Sequence, residues 1–299
     1  MLLGMGVALL GACDTSLQPF AESDLHFTLM GYLDSDADTQ FVRVVPLRQV
    51  LDRNTPVPID ANVKTTDLMT GDQVVWSDSL TQFEDGTYGH VFWAVFRPQP
   101  EHRYRIEVRR SDGAVTSAET TLPPLPDASA TYTLDNRGVF FQPFIWPGVS
   151  NVIDVDVLYR VQIKPGGLYP PPDPLPETAT EVFIRYTDDD RGSLQGDEWF
   201  TEFQLIEDHP LVEQGLIAEG RRGSLILLYS LTMRIAVPSA DWEPPDGLWD
   251  PDILVQPGTF SNVANGLGFW GSVTRATAEH SLNNVAMEAL GYAPYNQPR

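Results

Sequence analysis

From His26 onward the chain runs as short stretches in which apolar and polar residues alternate, separated by turns rich in Gly, Asp, Asn and Pro. A period of two puts successive side chains on opposite faces of a strand, so each stretch predicts a half-buried β-strand. His26–Leu33, Gln40–Leu47, Asn62–Leu68, Gln73–Trp76 and Thr87–Phe96 follow this pattern. His102–Arg110 is the cleanest case, with Tyr104, Ile106 and Val108 on one face and Arg103, Arg105, Glu107 and Arg109 on the other. Asp112-Gly113 then predicts a hairpin turn into Ala114–Thr121. So many short strands in residues 24–126 predict an immunoglobulin-like or transthyretin-like sandwich, closed by the linker Leu122–Pro126.

Residues 127–299 read as a second, larger β domain. Tyr132–Asp135 and Val139–Trp146 flank the turn Asn136-Arg137-Gly138. Ile153–Ile163 places Ile153, Val155, Val157, Tyr159, Val161 and Ile163 on one face. Leu225–Val237 does the same with Leu225, Leu227, Tyr229, Leu231, Met233, Ile235 and Val237. Runs this long exceed the usual strand of about five or six residues and predict a curved antiparallel sheet or partial barrel. Pro-rich loops interrupt it at Pro165–Pro176 and Pro238–Pro257, and helical spacing is found at Pro210–Glu219 and Ala276–Leu290. The fold class is therefore mainly β, with a C-terminal helix.

Composition adds a sign to that picture. The formal net charge is -22, and Lys64 and Lys164 are the only lysines. A body so acidic repels nucleic acid and anionic lipid, which excludes a nucleic-acid-binding role. Cys13 is the single cysteine, so the chain holds no internal disulfide. It follows the apolar run Leu2–Leu10 and the small pair Gly11-Ala12, a string that resembles a bacterial lipobox, although no basic residue precedes it. Residues 1–13 then read as a lipoprotein signal, residues 14–23 as a tether, and a membrane as a partner through the lipid on Cys13.

Catalytic and cofactor strings fare less well. Gly266-Leu267-Gly268-Phe269-Trp270-Gly271 matches the spacing of a dinucleotide-binding turn, but it follows a loop and no βαβ alternation surrounds it, so it reads as a structural turn. No serine elbow or zincin string occurs, and the five histidines are scattered, which implies no metal site and no cofactor. Asp34, Asp36 and Asp38, like Asp188-Asp189-Asp190, lack the remaining positions of a calcium loop and read as solvated turns. Tyr169, Trp242 and Trp249 lie in Pro-stiffened loops, where aromatics either form a ligand or partner surface or cap the sheet.

The string Ser261-Asn262-Val263-Ala264-Asn265-Gly266-Leu267-Gly268-Phe269-Trp270-Gly271 adds a family to this reading. With Cys13, the Asp34-containing strand pair and Gly86-Thr87-Tyr88, it resembles domain-of-unknown-function family 4249. The resemblance implies a Bacteroidota-type cell-envelope lipoprotein, with an immunoglobulin-like region before a β-rich domain and genes beside a TonB-dependent transporter. It implies no reaction. Asn262, Asn265, Gly266, Gly268 and Gly271 carry the likeness and suit tight turns. The expected function is a non-catalytic binding or accessory module at the outer membrane, partnered by such a transporter. Two alternatives stand beside it: an envelope glycoside or ester hydrolase using loop carboxylates near Trp242 or Trp249, and a structural surface component.

Overall fold

A computed structural model describes residues 25–47, 57–84, 86–127, 129–130, 141–163, 179–186, 192–218, 226–240, 242, 261–280, 282 and 284–293. The N-terminal elements are β1 (Phe27–Asp34), β2 (Thr39–Pro46), β3 (Asn62–Asp67), β4 (Gln73–Val75), β5 (Ser77–Gln82), β6 (Tyr88–Val95), β7 (Arg103–Arg109) and β8 (Val115–Thr121). Then come β9 (Ser129–Ala130), β10 (Phe141–Pro147), β11 (Asp154–Ile163), β12 (Thr180–Arg185), β13 (Ser193–Gln195) and β14 (Glu198–Gln204). Helix α1 (Leu205–Ala218), β15 (Ile226–Pro238), β16 (Val263–Ala264), β17 (Gly266–His280) and helix α2 (Asn284–Ala289) complete the order. The mainly β class predicted from the alternation is what the chain adopts.

One open eight-stranded sheet, ordered β12-β11-β15-β17-β1-β2-β6-β5, spans the molecule and does not close into a barrel. A five-stranded sheet, β16-β8-β7-β3-β4, packs on its N-terminal half. Between them lie Phe27, Leu29, Val42, Val44, Phe92, Tyr104, Ile106, Val108 and Trp270, all buried. All but Trp270 lie in stretches whose alternation predicted a strand; Trp270 lies in the string expected to be a turn, which instead forms β17 because it pairs along β1. On the other half, the four-stranded sheet β13-β14-β10-β9 and both helices cover a second core built on Val155, Val157, Tyr159, Met233 and Ile235. Even-numbered β17 side chains feed both cores, since Trp270 belongs to the first and Ala276 and Ala278 to the second. Both covering layers therefore lie on one face of the long sheet.

Strand pairing crosses the boundary read at Pro126. β1 pairs in parallel with β17, running from Phe27↔Gly266 to Asp34↔Val273, while β17 pairs antiparallel with β15. It is the one parallel pair among the described strands of these sheets, within what was expected to be antiparallel throughout. β16 adds to β8, so the first sandwich is completed by residues from the far end of the chain. Leu122, in the expected linker, is itself buried in the first core.

Three local departures have physical causes. In β15 the register shifts opposite Arg160/Val161, so Leu228 takes the inner position facing Val161. A one-residue bulge flips every following side chain, which moves Leu227 and Tyr229 into a small cluster with Ala293, away from the expected common face. Helical spacing at Ala276–Leu290 yields to strand as far as His280, because pairing with β15 supplies the backbone partners there, and α2 covers only Asn284–Ala289. Helix α1 starts five residues before Pro210, at Leu205. It seats Leu205, Val212 and Leu216 in the second core.

Gly268 shows how tightly β17 lies against β1. Its φ is +98°, and a Cβ there would stand 2.1 Å from the Leu29 carbonyl oxygen. Gly71 also has a positive φ, but nothing lies within 4 Å of its Cβ position. Urea titration should show Gly71→Ala losing about 1–2 kcal/mol from backbone strain alone. Gly268→Ala should lose about 3 kcal/mol or more, because overpacking adds to the same strain. Equal losses at the two sites would contradict the close β1–β17 packing.

Burial also gives an acid-sensitive group. His280 is 7% exposed, its ring 6.0 Å from Phe144 and 5.9 Å from Phe203, and desolvation pushes its pKa down from 6.5 to about 4. Between those values the unfolded chain binds a proton that the folded chain does not. Stability should therefore fall as pH drops from 6.5 toward 4, and His280→Leu should flatten that part of a melting-temperature profile. An unchanged slope in the variant would mean that another group is responsible.

Candidate functional site

β3 ends on Asp67, whose register partner on β7 is Tyr104. That pairing brings the turn 67–72 against the segment 96–104. Asp67 Oδ1 accepts the backbone N–H groups of Met69 (2.8 Å) and Thr70 (3.3 Å). Its Oδ2 accepts Nδ1–H of His102 at 2.7 Å, a residue 35 positions away. The turn is further tied by Leu68 N–H to the Arg103 carbonyl (2.8 Å) and by Gly71 N–H to the Asp67 carbonyl (2.8 Å). Asp67 is itself buried, and these bonds satisfy the carboxylate that burial would otherwise penalise.

Around this pair lies a cleft of about 240 Å³ lined by Thr65, Asp67, Thr70, Asp72, Val74, Phe96, Arg97, Gln99, His102 and Tyr104. Phe96 and Val74 form an apolar wall; Asp72 and His102 bring polar groups. His102 stacks on Tyr104 with ring centroids 6.3 Å apart. From there an aromatic chain runs inward through Phe96 and Trp76 to Trp270, in steps of 6.3, 6.0 and 5.9 Å. The wall of the cleft is thus continuous with the first core.

Burial of Asp67 by itself raises its pKa. The hydrogen bond from His102 and those from the Met69 and Thr70 amides outweigh it, and the net shift is downward. Burial raises the Tyr104 phenol, to which the charge on Asp67 adds, while the Gln99 N–H donated to its oxygen at 2.9 Å works the other way. Asp67 therefore stays a carboxylate and Tyr104 a neutral phenol at neutral pH. With Nδ1–H directed at Asp67, Nε2 of His102 carries no hydrogen bond among the described residues.

A larger depression of about 600 Å³ lies between Thr121–Asp127, Pro147–Ser150 and Val237–Ala240. Its lining is mostly Pro, Leu and backbone, with Thr121, Asp127, Ser150 and Ser239 as the only polar side chains. The smaller cleft holds the denser chemistry.

No family model and no curated protein matches the chain. Solved structures of pullulanase from Anoxybacillus sp. LM18-11, with maltotriose and without, are similar at 11% identity. Their TM-scores are 0.21 and 0.22, and the match covers 70% of this chain but only 24% of theirs. The chain spans about a quarter of those structures, and superposition at that level carries no argument.

The residues singled out in the sequence fall elsewhere. Asn262 brackets Trp270, donating Nδ2–H to its carbonyl (2.6 Å) and accepting its N–H (3.0 Å). Asn265 has φ +54°; its carbonyl accepts His26 N–H and the Thr116 hydroxyl, and its Nδ2 donates to the Val115 carbonyl. A Cβ on Gly266 would meet the Phe27 carbonyl oxygen at 2.4 Å, and one on Gly271 the Phe269 ring at the same distance. Asn265, Gly266 and Gly268 hold β17 against β1 and β8, while Gly271 leaves room for the Phe269 and Trp242 rings.

Trp242 is buried on the opposite face of the long sheet, edge-on to Phe269 (5.0 Å) and Tyr32 (5.3 Å). Beside Tyr32, Phe41 and Trp93 continue an exposed aromatic row across β1, β2 and β6. Tyr169, Trp249, Asp188-Asp189-Asp190 and Cys13 lie outside the described residues. In the first acidic turn, Asp34 pairs with Arg275 (2.7 Å) and Asp38 with Arg97 (2.6 Å), so these carboxylates are engaged by arginine. Among the described residues no group of three or more His, Cys, Asp or Glu is placed to hold a metal ion, and no helix is long and apolar enough to cross a membrane.

The Asp67–His102 pair has no counterpart in the sequence pattern, where His102 is the start of a strand and one of five scattered histidines. The one available signal was that Asp67 and His102 both stand at strand ends.

Asp67→Asn should lower stability by about 1–3 kcal/mol, since hydrogen bonds to a charged acceptor are replaced by weaker ones. The folded pKa of Asp67 lies below 3.8, so its contribution is present above that value and is lost as pH falls through the folded pKa. Acid unfolding followed by circular dichroism should accordingly be less steep below about pH 4 in Asp67→Asn. Identical acid limbs would remove Asp67 from that role.

Proposed function

We propose that this chain is a lipid-anchored protein of the cell envelope whose β body binds a ligand without transforming it. One observation supports binding over acyl transfer: the backbone amides beside the cleft that could form an oxyanion hole are already committed. An oxyanion requires free N–H donors and the base requires a free hydroxyl or water-positioning group. Yet the amides of Met69, Thr70, Gly71, Asp72 and Gln99 donate to Asp67 Oδ1, Asp67 Oδ1, the Asp67 carbonyl, Thr70 Oγ1 and the Tyr104 hydroxyl respectively. The Thr70 hydroxyl, which also lines the cleft, donates to Asp72 Oδ2 at 2.9 Å. A rigid wall with an oriented imidazole and a carboxylate is suited to holding a small molecule in one pose.

The anchor in this proposal rests on Leu10-Gly11-Ala12-Cys13, with the only cysteine of the chain at the position a lipobox requires. The partners it implies are a membrane, through lipid on Cys13, and an outer-membrane transporter of the kind associated with family 4249. Intact mass spectrometry of membrane-extracted protein should find a mature chain starting at acylated Cys13, absent in Cys13→Ala. An unmodified, soluble wild-type chain would remove the anchor. Steady turnover in a panel of ester and glycoside substrates, lost in His102→Ala, would overturn the binding reading.

A further inference from the structure

We propose that the cleft at Asp67–His102 takes a small organic cation, an ammonium group on a short apolar stem. This deepens the binding reading above and rests on it.

The sign of the ligand follows from the charges around the cleft. Asp67 and Asp72 both line it, and Asp67 is held as a carboxylate. Arg97, the one arginine on the rim, is turned to Asp38, to which Nε (3.1 Å) and Nη2 (2.6 Å) both donate. Its charge is thereby offset. His102 donates a hydrogen bond from Nδ1–H to Asp67, so that carboxylate faces any charge on the imidazole. Asp72 is a further carboxylate on the lining, with no cation paired to it among the described residues. An anion would enter against Asp72 and against a body of charge -22, which instead raises the local concentration of cations.

The shape and lining fit the same class. Asp72 Oδ1 and Gln99 Oε1, both acceptors, have no hydrogen bond among the described residues and remain open to a donor. Phe96 and Tyr104, with ring centroids 6.3 Å apart and tilted by 49°, present aromatic surface beside those acceptors. An ammonium group gains from an aromatic face and a carboxylate together, and its stem gains from Phe96 and Val74. A volume of about 240 Å³ accommodates a head group and a few methylenes. The walls are well braced: Asp67 is fixed by three hydrogen bonds and Tyr104 by Gln99 N–H, so little conformational freedom is lost on binding.

The test uses n-butylammonium, with n-butanol, butyrate and glucose as neutral, anionic and sugar comparisons. In ¹H–¹⁵N spectra of the folded body, n-butylammonium should give saturable shifts confined to Asp67, Thr70, Asp72, Gln99 and His102. Asp72→Asn removes the charge at an exposed position outside both cores, and it should weaken n-butylammonium binding by about fivefold or more. Phe96→Leu, which keeps an apolar wall but no aromatic face, should weaken it to a similar degree. Binding that is unaffected by Asp72→Asn, or equal for n-butanol, overturns the cation assignment. Tighter binding of butyrate or glucose overturns it as well while leaving a binding cleft in place. No saturable shift from any of the four removes the cleft as a ligand site, a result distinct from the substrate turnover that would overturn the binding reading itself.

Discussion

The parallel pairing of β1 with β17 is the contact on which the remaining architecture depends. It makes one eight-stranded sheet out of what would otherwise be two separate halves. It also requires the backbones to approach where side chains would obstruct them, with Gly266 against the Phe27 carbonyl and Gly268 against that of Leu29. Asn262 and Asn265 satisfy backbone groups that neither neighbouring strand reaches. The Asn- and Gly-rich string is thus explained by packing, with no need for a ligand. An ionic clamp reinforces the join: Arg275 on β17 binds Asp34 at the end of β1 and approaches Asp154 at the start of β11, and Arg185 on β12 pairs with the same Asp154.

That join reaches the cleft through aromatic packing. Trp270, placed in the first core by β17, meets Trp76 edge-on, Trp76 meets Phe96, and Phe96 meets Tyr104. Trp76 is oriented by Nε1–H donated to Thr65 at 2.9 Å. A residue near the C-terminal end therefore supports the apolar wall of a cleft formed by residues 65–104. Such coupling of a site to a distant strand follows from close-packed interiors, where a displaced ring forces its neighbours to move.

The two faces of the long sheet differ in what they contribute. One carries both cores and both covering sheets. The other carries Trp242 and Phe269 packed over Gly271, with Tyr32, Phe41 and Trp93 continuing outward. Trp242, read from its loop as a surface or cap residue, is held in that cluster with 5% of its surface exposed. Its burial depends on the absence of a side chain at Gly271, another consequence of the same string.

Much of this protein follows from consecutive residues. Alternation identified the strands β1, β2, β7, β8 and β11, and in β7 and β11 the face that each buries, because burial on one side of a pleated strand is a property of its own residues. The Asp112-Gly113 turn, the acidic surface and the lipobox-like string at Cys13 are local in the same sense. Tertiary structure alone decided which strands became neighbours. An amphipathic strand accepts many partners of similar pattern, and only the fit of the whole surface selects β17 beside β1 or strand in place of helix at Ala276–His280. The bulge opposite Arg160/Val161 moved Tyr229 off its expected face for that reason. Asp67 and His102 likewise acquire their chemistry only when β3 and β7 pair, since hydrogen bonding between residues 35 positions apart is a fact of register and leaves no trace in their spacing.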